Sequence, residues 1–295
     1  MNRNDDVEFG LLSLVNLLPL LGFFVFDWEF IVLGLLYWLD AVLLLVVYSG
    51  YALFAQPENR VEEREQTLLP GTVANGYWSE NPRSISGSLP PIYTRNLRVI
   101  IPTVLFVGGL VLVVIGASWL AGDPNMGTRG GAGDLFEFLS AFSAFTSPVV
   151  LGIGLAILFT HVLTLRRRYF GHGRHEKLSA YMTLELPVRF ILVYAGLLPP
   201  LLFAVLTAGL LVQALLPAWG FSLLWAGAFL GVKLSLERLR LRAEVTPNPG
   251  GYAAWFSPSD PSETLEVSGR ALVTYIGSFV GLLLLFVLVA LFTSG

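Results

Sequence analysis

Asp40 stands in the apolar run Leu36-Tyr37-Trp38-Leu39-Asp40. Asn16, His161, Tyr194 and Lys233 interrupt other apolar runs in the same way. An ionisable side chain at the centre of a bilayer costs roughly 2.5 to 3.5 kcal/mol on insertion scales, so it normally faces the interior of a helix bundle and finds a partner. Asp40 with His161 has the chemistry of a proton relay or of a metal-ligand pair: imidazole titrates near neutrality, and a carboxylate orients it. The commoner outcome for each residue is structural. Asp40 is then paired to Lys233, or hydrogen-bonded to Trp38 or Asn16 of a neighbouring helix, fixing helix register. His161, near a helix end, is then a capping or interfacial residue, and Lys233 snorkels to the headgroups.

Other chemistry-bearing patterns are weaker. His172-Gly173-Arg174-His175-Glu176 looks metal-like, but it lacks the helical H-e-x-x-H arrangement of zinc proteases. It is expected to be a solvated loop. Arg166 to Arg168 are expected to anchor a helix to anionic headgroups. Gly127 to Gly133 lacks the Gly-Lys-Ser/Thr ending of a phosphate loop. Gly227-x-x-x-Gly231 and Gly277-x-x-x-Gly281 fit close helix packing, and Pro199-Pro200 predicts a kink. The chain has no cysteine, which excludes disulfides, thiolate metal sites and cysteine nucleophiles. No metal site and no cofactor is assigned.

The elements that must position these residues follow from composition. Hydrophobic residues make up 55% of the 295 and charged residues 13%, against about 25% charged in soluble domains. The mean hydropathy is +0.69. Such a chain needs lipid as its solvent. The fold class is an all-α polytopic transmembrane helix bundle of about seven spans, since a span takes about 20 mainly apolar residues. The segments are Phe9 to Phe26, Trp28 to Leu53, Val99 to Leu120, Ser147 to Leu165, Leu186 to Leu211, Leu216 to Leu236 and Ala271 to Phe292. Asp27 and Glu29 mark a tight turn after the first. Asp5, Asp6 and Glu8 precede it, unlike the basic start of a signal peptide, so it is read as a retained span. Asp134 to Thr146 reads as an interfacial helix.

Basic residues concentrate in alternate loops: Arg60, Arg64, Arg83, Arg95 and Arg98; then Arg166, Arg167, Arg168, Arg174 and Lys177; then Arg238, Arg240, Arg242 and Arg270. The other loops hold Arg129. By the positive-inside rule the N-terminus is cytoplasmic and the C-terminus extracytoplasmic, in a multi-pass cell-membrane protein. At 1.5 Å per residue, Asp40 and Tyr194 lie roughly 18 Å from the outer face, Asn16 about 20 Å, His161 about 21 Å and Lys233 about 22 Å. These residues therefore share one layer, with Arg189, Glu185 and Glu237 nearer the cytoplasmic edge. The chain divides into a six-span unit over 1–242, a polar linker over 243–270 and a seventh span over 271–295. The polar loop over 55–98 is either disordered or laid on the membrane surface through Tyr77, Trp78 and Tyr93. Two lysines against sixteen arginines, with acidic loops, is the usage expected of a salt-loving prokaryote such as a halophilic archaeon.

Four patches carry a family resemblance. They are Asn16-x-x-Pro19 followed by Trp28 and Tyr37-Trp38-Leu39-Asp40; His161; Met182 to Arg189, with Pro187 and Arg189 entering the fifth span; and Lys233 with Glu237 one turn on. In these the chain resembles the domain-of-unknown-function family 6498, prokaryotic polytopic membrane proteins. The resemblance covers roughly Asn16 to Glu237 and leaves the seventh span outside. The family usually has Glu where this chain has Asp40, often His where it has Tyr194, and commonly Asp followed by His where it has Glu237. If the family holds a metal between these helices, this member has lost ligands. The resemblance implies no activity.

Two functions compete. The first is a non-enzymatic membrane protein that transports an ion or small molecule through the polar site of Asn16, Tyr37, Trp38, Asp40, His161, Arg189, Tyr194, Lys233 and Glu237, or serves as a structural partner. An ion-coupled role expects Asp40 to line a cavity reachable by water, not to be sealed against Lys233. The second is an intramembrane metal-dependent hydrolase of a lipid or peptide, using His161 with Asp40, Glu185 or Glu237. A catalytic zinc needs three protein ligands, so His161 and two carboxylates must converge. The partners expected are the lipid bilayer and, in the membrane, further copies of the chain or other proteins; nucleic acid is not expected. A retinal protein is excluded because the seventh span has no lysine.

Overall fold

The computed structural model describes residues 3–26, 28, 30–59, 69, 78–87, 89–122, 147–212, 218–246 and 249–258. The seventh span, the interfacial helix expected over Asp134 to Thr146, the Gly127 to Gly133 stretch and Asp27, Glu29, Tyr77 and Arg129 lie outside the described residues.

The described chain is a helical bundle. Its long helices are α1 (Arg3–Val25), α2 (Phe30–Ala52), α3 (Leu97–Gly122), α4 (Pro148–Gly171), α5 (Ala180–Val212) and α6 (Ala218–Val245). Five windows are long and apolar enough to cross a membrane: Asp6–Val25, Val32–Ala52, Thr94–Val111, Pro148–Gly171 and Ala180–Leu197. In hydrocarbon the backbone has no water to bond, and a helix satisfies its N–H and C=O groups internally. This is why the apolar runs become helices almost residue for residue.

Four boundaries depart from the apolar pattern by six residues or more: α1 begins at Arg3 rather than Phe9, α4 runs to Gly171 rather than Leu165, and the other two have a visible cause. α5 begins at Ala180 rather than Leu186, because Ser179 Oγ accepts the backbone N–H of Met182 at 3.3 Å and so caps the helix ahead of its apolar stretch. α6 runs on to Val245, beyond Leu236, because its charged residues pair inside the bundle (below). α5 also continues across Pro199-Pro200.

α2 is the axis of the packing. It contacts α1, α3, α4 and α5, while α6 packs on α1 and α5. Two thirds of the apolar windows of α2 and α5 are buried (67% each), against 28% for α1. Leu33, Leu35, Tyr37, Leu44, Leu45 and Tyr48 carry the α2 core. The outward face of α1, with Val7, Leu14 and Leu21, stays apolar and exposed, as a lipid-facing surface would be.

The helix ends that carry the basic loops gather at one end of the bundle, called the basic end here. The described part of the 55–98 connector is folded over those ends rather than disordered. Arg83 and Ile92 exchange two backbone hydrogen bonds of 2.9 Å, and Tyr93 N–H donates to Leu53 O at 2.8 Å. Buried Asn96 donates from Nδ2 to the carbonyls of Ala52 and Ala55, each at 2.9 Å. Where α2 ends these carbonyls have no helical donor four residues on, and Ala52 O takes a turn bond from the Ala55 N–H at 3.2 Å, so Asn96 serves as a C-terminal cap supplied by the next element. Asn59 Oδ1 accepts the N–H of Tyr181 at 2.8 Å at the start of α5.

Candidate functional site

Polar residues inside these helices fall into two groups. Ser13, Asn16, Ser49, Thr103, Thr160 and Ser235 each donate to the carbonyl four residues back on their own helix, at 2.7–2.9 Å. This local bond satisfies the donor without a second helix. Asn16 belongs here: its side chain serves Leu12 O, and Tyr37 reaches its backbone, the Tyr37 hydroxyl donating to Asn16 O at 3.1 Å.

The second group crosses between helices. Asp40 of α2 holds Lys233 of α6 on Oδ2 and His161 of α4 on Oδ1. With Asp40 ionised against Lys233, its oxygens only accept, so His161 donates from Nε2. Asp40 is 2% exposed, His161 3% and Lys233 0%. Of the alternatives open from the sequence, Lys233 does not snorkel and His161 is not interfacial; both are buried on Asp40. The reason is depth: once α2, α4 and α6 pack, the carboxylate is the nearest opposite charge, and a buried unpaired ammonium costs several kcal/mol. The Tyr37 ring centroid lies 5.7 Å from Lys233 Nζ. Tyr37 stacks on Phe229 (6.4 Å, 13°), and Trp38 packs on Tyr194 (5.2 Å, 59°). The Tyr194 hydroxyl, fully buried, has no hydrogen-bond partner among the described residues.

Arg189 and Glu185 do not join this cluster. Arg189 donates to Glu185 one turn back at 3.3 Å and to Trp255 O at 3.1 Å.

Glu237 sits one turn from Lys233 toward the basic end and opens a second network. Its Oε2 accepts from Arg240 Nε at 2.9 Å and from the terminal nitrogen Nη2 at 2.6 Å. Arg240 Nη1 donates to Glu244 at 2.9 Å and to the Tyr48 hydroxyl at 3.1 Å. Tyr48 donates to the same Glu244 oxygen. On its other oxygen Glu244 accepts from Arg168 at 3.2 Å, and Arg168 Nε donates to Glu8 of α1 at 2.6 Å. Arg174 approaches Glu244 at 3.9 Å. Asp40, Glu237, Glu244 and Glu8 thus face Lys233, Arg240, Arg168, Arg174 and, at 3.4 Å from Glu8, Arg167, so with His161 neutral four formal negative charges meet five positive ones.

Two expectations change at the basic end. Arg168 is no headgroup anchor; it is buried between Glu8 and Glu244, whereas Arg167 is 56% exposed on its side chain. The His172-to-Glu176 run is not a solvated loop throughout. Gly173, at φ 62°, turns the chain into a short 3-10 helix, and His175 packs under the rings of Phe170 (5.4 Å) and Tyr169 (6.1 Å). Glu8, Tyr48, Arg168, Arg240 and Glu244 were missed as site residues. A signal existed: Lys233, Glu237, Arg240 and Glu244 are spaced four, three and four residues apart, which is one helix face.

Asp40 and His161 converge, but among the described residues no second carboxylate makes contact with His161. Among the described residues no group of three or more His, Asp or Glu is placed to hold a metal ion. Comparison of the chain with family models, with curated proteins and with solved structures gives no match.

Proposed function

We propose that this integral membrane protein moves a proton or small cation, and that Asp40, held between Lys233 and His161, is the exchanging group of a site closed in this conformation. The observation that carries the reading is one buried carboxylate that binds two separately titratable partners from two other helices. Lysine and histidine can both give up a proton, unlike arginine. An intramembrane ionisable residue with a named partner is a default functional candidate.

The seal on Asp40 counts against a standing water-filled pore: the carboxylate is on Lys233, the arrangement an open ion pathway was expected to lack. Transport through this site therefore requires a second conformation in which the pair parts. The hydrolase alternative is weaker, because it asks for a third ligand beside His161 and Asp40. The lopsided basic loops support a cytoplasmic N-terminus, which puts the Glu8–Arg168–Glu244 end on the cytoplasmic side. The resemblance to family 6498 adds no activity to this reading.

The test is proton flux into proteoliposomes that enclose a pH-sensitive dye, driven by imposed pH and alkali-cation gradients. The full chain is expected to carry flux above empty vesicles, and Asp40→Asn to fall to background while remaining folded. Equal flux from both chains, or none from either under any gradient, sinks the proposal.

A further inference from the structure

Glu237 presents an anomaly that the cluster around Asp40 explains. It is fully buried, and its Oε2 takes two N–H groups of Arg240, yet its Oε1 has no hydrogen-bond partner among the described residues. A buried charged acceptor left idle costs more than the roughly 1–3 kcal/mol of a neutral one, so it calls for a reason. The lysine on its own helix is Lys233, four residues back, where side chains sit one above the other with Cβ atoms about 5–6 Å apart. The ammonium is a point charge on a flexible four-carbon stem, so changing partners needs rotamer changes and no helix movement.

We infer that Glu237 is the alternate acceptor for Lys233: the ammonium leaves Asp40 Oδ2 for Glu237 Oε1, and Asp40 is thereby freed to take a proton or small cation in its place. The exchange is balanced in charge. Lys233 keeps its proton and moves one turn toward the basic end, and the incoming cation restores the single positive charge it removed from Asp40. His161 stays on Asp40 Oδ1 and holds the carboxylate in place. On the receiving side Arg240 does not block the move, because it occupies Oε2 alone and its own charge is shared with Glu244. The groups that surround the ammonium are Asp40 and Tyr37 of α2, His161 of α4, and Glu237 and Arg240 of α6. This inference deepens the proposed function and rests on the reading of Asp40 as an exchanging group.

The chain offers an unusually clean probe, since Lys177 and Lys233 are its only lysines and Lys177 is exposed. In the full-length Lys177→Arg chain, reconstituted in lipid with ¹⁵N-lysine and ¹³C-carboxyl glutamate, solid-state NMR reads Lys233 Nζ alone. With Asp40 intact, partial dephasing of Nζ by a glutamate carboxyl carbon is expected, and it should vanish in Glu237→Gln. With Asp40→Asn added, Nζ should remain an ammonium and show stronger dephasing. Absence of dephasing with Asp40 intact, dephasing that survives Glu237→Gln, or a neutral amine in a folded Asp40→Asn chain overturns the inference. Should Asp40→Asn fail to fold, the comparison with Asp40 intact decides alone. Because no flux is measured, failure here is separable from failure of transport: partner exchange without flux leaves Glu237 in this role and removes the transport reading.

Discussion

The two charged regions of the bundle lie one helical turn apart and are built on different principles. At the basic end, Arg168 and Arg240 reach Glu8, Glu237 and Glu244 through several directional hydrogen bonds of 2.6–3.2 Å. Guanidinium is charged at every accessible pH, and its planar fork fixes geometry. Around Asp40 the partners are Lys233 and His161, each making one contact to the carboxylate. Both can change protonation state, and neither has a fork to satisfy. The first region is suited to holding α1, α2, α4 and α6 together, and the second to changing state. That contrast, more than burial, separates a clamp from a site, since both regions are almost wholly buried.

The largest effect is expected where the clamp is broken. Glu244→Ala leaves Arg168 and Arg240 buried without a shared counter-charge, and neither can deprotonate. A loss of about 3–5 kcal/mol, or failure to accumulate folded protein, is expected in thermal unfolding in detergent. A loss below about 1 kcal/mol would erase the distinction between the two regions.

Asp40→Asn should cost less, about 1–3 kcal/mol, because Lys233 can move to Glu237 and keep a buried counter-charge. The same unfolding assay checks this, and a cost equal to that of Glu244→Ala would make the Asp40 cluster a second clamp. Asn96→Ala removes the donor that caps the α2 carbonyls of Ala52 and Ala55 and should cost about 1–3 kcal/mol with no change in flux. A selective loss of flux in that variant would place the connector in the site. The smallest effect is expected at the exposed pairs of Arg95 with Glu58 and Glu80. Glu80→Gln should change stability by less than about 1 kcal/mol, and added salt should remove the difference.

Much of this was legible in the sequence. The apolar runs located α2 and α3 within two residues, and α1 and α4 with one end six residues short, because a chain in lipid has few alternatives to the helix. Asp40, His161 and Lys233 stood out because each interrupts such a run. Glu237 was flagged too, but as an edge residue near the headgroups. The stripe that continues through Arg240 and Glu244 was missed because the apolar run stops at Leu236, and charged residues after a span read as loop. Glu8 and Tyr48 carried no sequence signal, since their partners lie far along the chain.

What the sequence determined by itself is the class: 55% hydrophobic residues with 13% charged demand lipid, and lipid demands helices. It also determined that a few ionisable groups must sit deep and seek partners. Which partners they found was decided by the tertiary structure. Asp40 could have met Asn16, Trp38 or Lys233, and the packing of α4 on α2 and of α6 on α1 and α5 brought His161 and Lys233 to it together. Residue spacing fixes neighbours along one helix, but only the packing of helices fixes neighbours across them. For that reason the one-turn spacing of Lys233 and Glu237 was readable from the chain, while the choice of Lys233 and His161 among the candidate partners of Asp40 had to be seen.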